Sequence, residues 1–187
     1  ALDTFRREGA AEEAIRLASA LVWYRVMRGR RTEARRALAA ALEVAGPAPE
    51  ALRAEAECWA ASLAIRQGEA GPETVARLSV PSARAEWFIA ASIIDFGDDA
   101  ATGKLLESAL DAFRVAGDRW GEAAALSTRA MLAHMKADPA ALEHDARRSA
   151  DIFAALGDDW GVLQATDWLI GLADMTGDRA EAARLAR

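Results

Sequence analysis

Apolar positions along the chain recur at helical spacing. Leu105, Leu106, Ala109, Leu110 and Phe113 fall on one i, i+4 stripe, and Leu142, Ala146, Ala150 and Phe153 form its counterpart. Between the stripes stand glycine–aspartate pairs, at Gly97-Asp98, Gly117-Asp118, Gly157-Asp158 and Gly177-Asp178. Glycine ends a helix by adopting a left-handed C′ conformation. The aspartate after it can accept from the orphan amides that open the next helix. These signals predict first helices near 11–28, 49–67, 82–96, 119–136 and 159–176. Second helices are predicted near 31–45, 73–79, 99–116, 139–156 and 179–187, with residues 2–8 closing a preceding helix. Pro72 and Pro81 bracket the short 73–79 segment, and Pro139 falls at a helix start, where a missing N–H costs nothing.

The punctuation is periodic. Phe113-Arg-Val-Ala-Gly-Asp-Arg-Trp-Gly121 recurs as Phe153-Ala-Ala-Leu-Gly-Asp-Asp-Trp-Gly161, a shift of 40 that also maps Met135 onto Met175 and Ala137-Asp138 onto Gly177-Asp178. Gly68-Glu69 and Gly29-Arg30 continue the series backwards from Gly97-Asp98 at spacings of 29 and 39. The second unit is therefore about ten residues short, and its second helix must be stunted. The units run 11–46, 47–80, 81–117, 118–157 and 158–187, within a single repeat domain covering 1–187. One hairpin cannot bury either face of its stripes. Stacked hairpins can.

Composition agrees. Alanine, the best helix former, fills 48 of 187 positions, while Val, Ile and Thr together number 21, thin for a sheet. The fold class is all-α. The net charge of −6 argues against direct nucleic-acid binding, which draws on a basic excess. No apolar run approaches the ~20 residues of a membrane span, and no signal peptide opens the chain, so a cytoplasmic location is expected. Cys58 is the single cysteine, which excludes an internal disulfide. The sequence opens on Ala1 and stops inside a helical pattern at Arg187, as a piece of a larger protein would.

The repeats resemble the tetratricopeptide (TPR) family. Its pattern wants a small residue mid-way along the first helix, where this chain has Val22, Ala61, Ala90, Ala130 and Ile170. Five residues after the turn glycine stand Ala34, Glu73, Thr102, Leu142 and Ala182, and a small–large pair follows at Ala41-Leu42 and Ala109-Leu110. Glu73, Leu142 and Ile170 depart from the small-residue rule. The resemblance implies antiparallel hairpins stacked as a right-handed α-α superhelix, a solenoid of about five units. A narrower likeness lies in residues 14–29, in Glu33-Ala-Arg-Arg-Ala-Leu38 and in the doubled Gly-Asp-x-Trp-Gly. These are similar to the C-terminal repeat region of actinobacterial AfsR-like (SARP) and MalT-like LuxR transcriptional regulators. That implies a sensing or interaction role beside DNA-binding and ATPase modules.

Catalytic motifs are missing. Gly97-Asp-Asp-Ala-Ala-Thr-Gly-Lys-Leu105 mimics a phosphate loop but has five residues between its glycines and leucine in place of Ser/Thr. His134 and His144 belong to no HExxH pattern, and Cys58 lies two units from His134. No cofactor or metal is expected. Arg25, Arg28, Arg30, Arg31, Arg35 and Arg36 surround Glu33, which makes a local +5 patch. It is either a dock for an acidic surface or a solvated turn.

First helices line the concave groove of the family. The resemblance therefore implies groove positions at Trp23, Met27, Cys58, Ser62, Arg66, Trp87, Asp95, Met131, His134, Asp167 and Asp174. Aromatic, methionine and carboxylate groups together suit an adaptable binding surface. The expected partner is a protein, a peptide, another domain of the parent regulator or a small effector. Two other readings stay open: a self-associating or intramolecular docking scaffold, and an all-helical enzyme.

Overall fold

Helices form over most of the segments that the spacing predicts, opened by aspartate caps in the C-terminal half of the chain. The computed structural model describes residues 2–186, and among these it is all-helical with no strand. The chain divides between Gly97 and Asp98 into two compact units, a boundary that falls at the inner turn of the third predicted hairpin.

The second unit follows the period closely. It holds α7 (Asp99–Ala116), α8 (Arg119–Met135), α9 (Pro139–Leu156), α10 (Asp159–Thr176) and α11 (Arg179–Leu185). Each starts behind an aspartate whose side chain accepts the N–H three residues on: Asp98, Asp118, Asp138, Asp158 and Asp178, at 2.9–3.0 Å. Consecutive helices pack on one another, and α8 also touches α10. Close approach depends on small residues. A Cβ at Gly121 would strike the buried ring of Phe113, and one at Gly161 would strike Phe153, the same pair one period later. Trp120 lies against the Phe153 ring and donates its indole N–H to Asp158 at 2.9 Å. Ala137 occupies the turn position that glycine holds elsewhere, at φ 53°, where an L side chain is strained.

Two buried carboxylates sit among these helices with their partners. Asp145 takes a two-pronged grip from Arg129, at 2.6 and 2.8 Å. Glu122 lies between Arg114, Arg119 and Arg148, contributed by α7, α8 and α9. Burial alone would raise the Glu122 carboxyl, but hydrogen bonds from Arg148 and Arg114 and the charge of Arg119 hold it below its ordinary value.

The first unit is less regular. It contains α1 (Leu2–Glu8), α2 (Ala11–Ala20), α3 (Val22–Met27), α4 (Arg31–Leu42), α5 (Glu50–Arg66) and α6 (Ala83–Ile93). The helix expected over 11–28 is interrupted at Leu21, where ψ is −4° and the turn tightens. The run that follows, Val22-Trp23-Tyr24, has weaker helix propensity than the alanine-rich segment before it. The stunted segment is a 3-10 turn, Pro72–Arg77, rather than an α-helix. Gly46, at φ 134°, lies so close to the Gly9 carbonyl that no side chain fits, and Arg53 donates to the carbonyls of Leu42 and Gly46 beside it. The core gathers Ile15, Val22, Leu38, Leu63, Phe88 and Ile89.

Two outcomes follow for stability. Gly121→Ala should destabilise by about 1–3 kcal/mol despite the better helix former, because the ring of Phe113 must move. Ala137→Gly should stabilise by roughly 0.5–1 kcal/mol, since glycine accepts the left-handed turn without strain. Urea unfolding of both variants checks the opposite signs. Glu122, with its folded value depressed, stabilises above pH of about 4.5 and loses that contribution as the pH falls through its folded value. The urea midpoint of Glu122→Gln should therefore vary less than wild type between pH 6 and pH 3.

Candidate functional site

The first-helix positions behave differently in the two units. In the first, the aromatic residues turn inward. Trp23 of α3 meets Trp87 of α6 edge-on, with ring centroids 5.4 Å apart, and Trp87 lies against Phe88. Trp87 and Ser62 are buried, and so is Cys58, only 1% exposed, whose thiol points at the Ser79 carbonyl 3.4 Å away. These three expected groove residues are packing residues, because α5 and α6 close over their own apolar faces. Arg66, Asp95 and Met27 remain exposed. Arg66 donates to the Ala91 carbonyl at 2.7 Å; partial desolvation by the surrounding helices lowers the pKa of its guanidinium first, and the like charge of Arg31 adds to this while Asp95 opposes it.

The arginine patch is partly neutralised. Arg30 pairs with Glu33 at 3.6 Å, and Arg35 pairs with Glu69 at 2.6 Å while donating to Gln67. Among the described residues no carboxylate pairs with Arg25, Arg28, Arg31 or Arg36; Arg28 lies over the ring of exposed Tyr24. The first unit has 13 basic and 13 acidic residues, whereas the second has 10 and 16. The whole net charge of −6 therefore belongs to the second unit. The +5 patch sits in the neutral half.

In the second unit, α8 and α10 lie side by side and bring several candidates together. Trp168 of α10 donates its indole N–H to Ser127 of α8 at 3.2 Å, and its ring stands 6.0 Å from that of His134. The His134 ring also reaches Gly171, where a Cβ would come within 3.7 Å of its Cε1. Its Nδ1 is buried without a hydrogen-bond partner. Met131 is half-buried on α8, and Asp167 and Asp174 are exposed on α10. The resulting surface combines a tryptophan, an imidazole, a thioether and two carboxylates. Trp168 and Gly171 were absent from the positions implied by the family. An isolated glycine inside a helical run was the available signal, because it marks a close approach.

Among the described residues no group of three His, Cys, Asp or Glu side chains could hold a metal ion, and no helix is long and apolar enough to cross a membrane. No protein-family model, curated protein or solved structure matches the chain.

The burial of Cys58 has a direct chemical readout. Burial, followed by the charges of Glu57 and Glu55, pushes its thiol from 9.0 up to about 11. At pH 8 the folded protein should react with a thiol-exchange reagent at least tenfold more slowly than the urea-unfolded chain. Comparable rates would place the thiol at the surface.

Proposed function

We propose that the chain is a non-catalytic helical-repeat domain of the TPR kind, its hairpins stacked as a right-handed superhelix. It serves as the interaction or sensing region of a bacterial transcriptional regulator. Its partner is a peptide or protein surface held by first helices. The observation that carries this reading is the α8–α10 pairing, in which Trp168 spans from Ser127 to His134 beside two exposed carboxylates. Side-by-side first helices that present a half-buried aromatic ring beside exposed carboxylates are what a groove needs to hold an extended or helical segment. The acidic excess of this unit selects a basic segment.

Peptides selected from a displayed library should carry Lys or Arg beside an apolar anchor. Their affinity, read by fluorescence anisotropy, should fall at least tenfold in Trp168→Ala and in Asp167→Asn/Asp174→Asn. Binders indifferent to both changes, or a library with no binders, would remove the reading.

The scaffold reading is favoured by one observation, the separation of charge between a neutral unit bearing free arginines and a unit bearing −6. Such a distribution supports association between copies through unlike charges. Sedimentation at low and high salt separates the two: a salt-sensitive dimer supports the scaffold, and a monomer at every concentration excludes it.

A further inference from the structure

Within the second unit the period of 40 relates a covered helix face to an open one. Helix α10 lies along α8: the Trp168 indole N–H reaches Ser127, and Gly171 lies against the His134 ring. Both contacts advance in the same sense, so the two helices run in parallel. Ala123, Ser127, Ala130 and His134 recur at i, i+4, i+7 and i+11, one face of α8. Ala123 and Ala130 are fully buried, and Ala130 shares an apolar cluster with Leu169 of α10. Shifted by 40, the same face of α10 carries Leu163, Asp167, Ile170 and Asp174. It is open. Leu163 is 56% exposed where Ala123 is 0%, and Asp167 and Asp174 are exposed where Ser127 and His134 are half-buried.

The open face also differs in chemistry. The covered one has no carboxylate; this one has two, and among the described residues no Lys or Arg pairs with either. Apolar and acidic side chains alternate along it, so its complement alternates apolar and basic ones. Seven residues of α-helix separate Asp167 from Asp174, a rise of ~10.5 Å. A parallel helix matches that rise with residues i and i+7 on one face. An extended segment does not. Its residues three apart span ~10 Å but point to opposite sides, while those two or four apart span ~7 or ~13 Å. We propose that this face of α10 receives a cationic amphipathic helix of a protein partner, laid along α10 as α10 is laid along α8. Lys or Arg at i and i+7 meets Asp167 and Asp174, and apolar residues at i+3 and i+4 lie against Ile170. Leu163 and Ile170 are bulkier than the alanines they replace, which sets a wider helix spacing and leaves room for the methylene stems of the basic side chains. This inference rests on the peptide-binding reading above and adds conformation and register to it.

The test measures fluorescence anisotropy of labelled, alanine-rich peptides titrated with the full chain. The first peptide carries Lys, Leu, Leu and Lys at i, i+3, i+4 and i+7. A second moves the last Lys to i+5, off that face, and a third has a proline at i+5 that breaks the helix. The first should bind at least tenfold more tightly than either of the others. Leu163→Arg, at an exposed position that folding does not depend on, should weaken it at least tenfold. Asp167→Lys/Asp174→Lys should reject it and accept the same peptide with Glu at i and i+7. Circular dichroism confirms that each variant is folded; if the double variant is not, Leu163→Arg decides. No binding by the first peptide, equal binding of the helical and proline forms, or indifference to Leu163→Arg would overturn the proposal. Library binders that still depend on Trp168 would in that case keep the wider reading, so the two failures are told apart. A dimer in sedimentation that Leu163→Arg abolishes would assign the face to a second copy and overturn the proposal as well.

Discussion

Everything in the second unit depends on how closely its helices approach. Phe113 can lie over the start of α8 only because position 121 carries no side chain, and Phe153 repeats the contact over Gly161. Alanines at 123, 125, 130 and 146 are fully buried beside Leu106, Leu126 and Leu142, so small and large side chains share the interface. Dispersion energy falls steeply with small gaps, which makes such an interface intolerant of added volume. It also needs little apolar bulk. That is why a chain in which half of the hydrophobic residues are alanine can still form a well-packed interior.

Close packing leaves few places for polar groups; the two buried carboxylates are matched, whereas Thr102 Oγ1 and His134 Nδ1 are buried without a hydrogen-bond partner. Glu122 is reached by guanidiniums from three helices, and Asp145 by both prongs of one. Removing Arg129 would strand the buried Asp145 charge, a larger penalty than the pair's net contribution to stability, whereas Glu122 would keep two of its three partners. These contacts therefore act mainly on specificity. They fix which helix lies beside which, and a slipped register would leave a carboxylate unpaired. The α10–α11 hairpin has lost this constraint at 169 and 185, and with it the side chain that spans from one helix to the other.

Much of the fold was legible in the residues. The Gly-Asp pairs located α7 to α11 within a residue or two, because a left-handed C′ followed by an aspartate cap is a local rule with a local cause. The 29-residue spacing announced a stunted second helix, and the segment forms the 3-10 turn Pro72–Arg77 in place of the expected α-helix. The break at Leu21 was not legible, since the apolar period runs through it. Nor was the burial of Cys58, Ser62 and Trp87. A family template assigns a face to each position, but whether that face stays open depends on side chains from other helices, here Trp23 against Trp87.

Asp158 has a consequence for dynamics. One carboxylate oxygen, Oδ1, holds the first turn of α10, and the other, Oδ2, holds the indole of Trp120 on α8. Fraying of α10 at its start therefore releases an anchor of the preceding hairpin, and movement of α8 loosens the α10 cap. Local opening of one hairpin is coupled to the next through a single side chain. Opening at the start of α10 and movement of the start of α8 are thus linked events rather than independent ones.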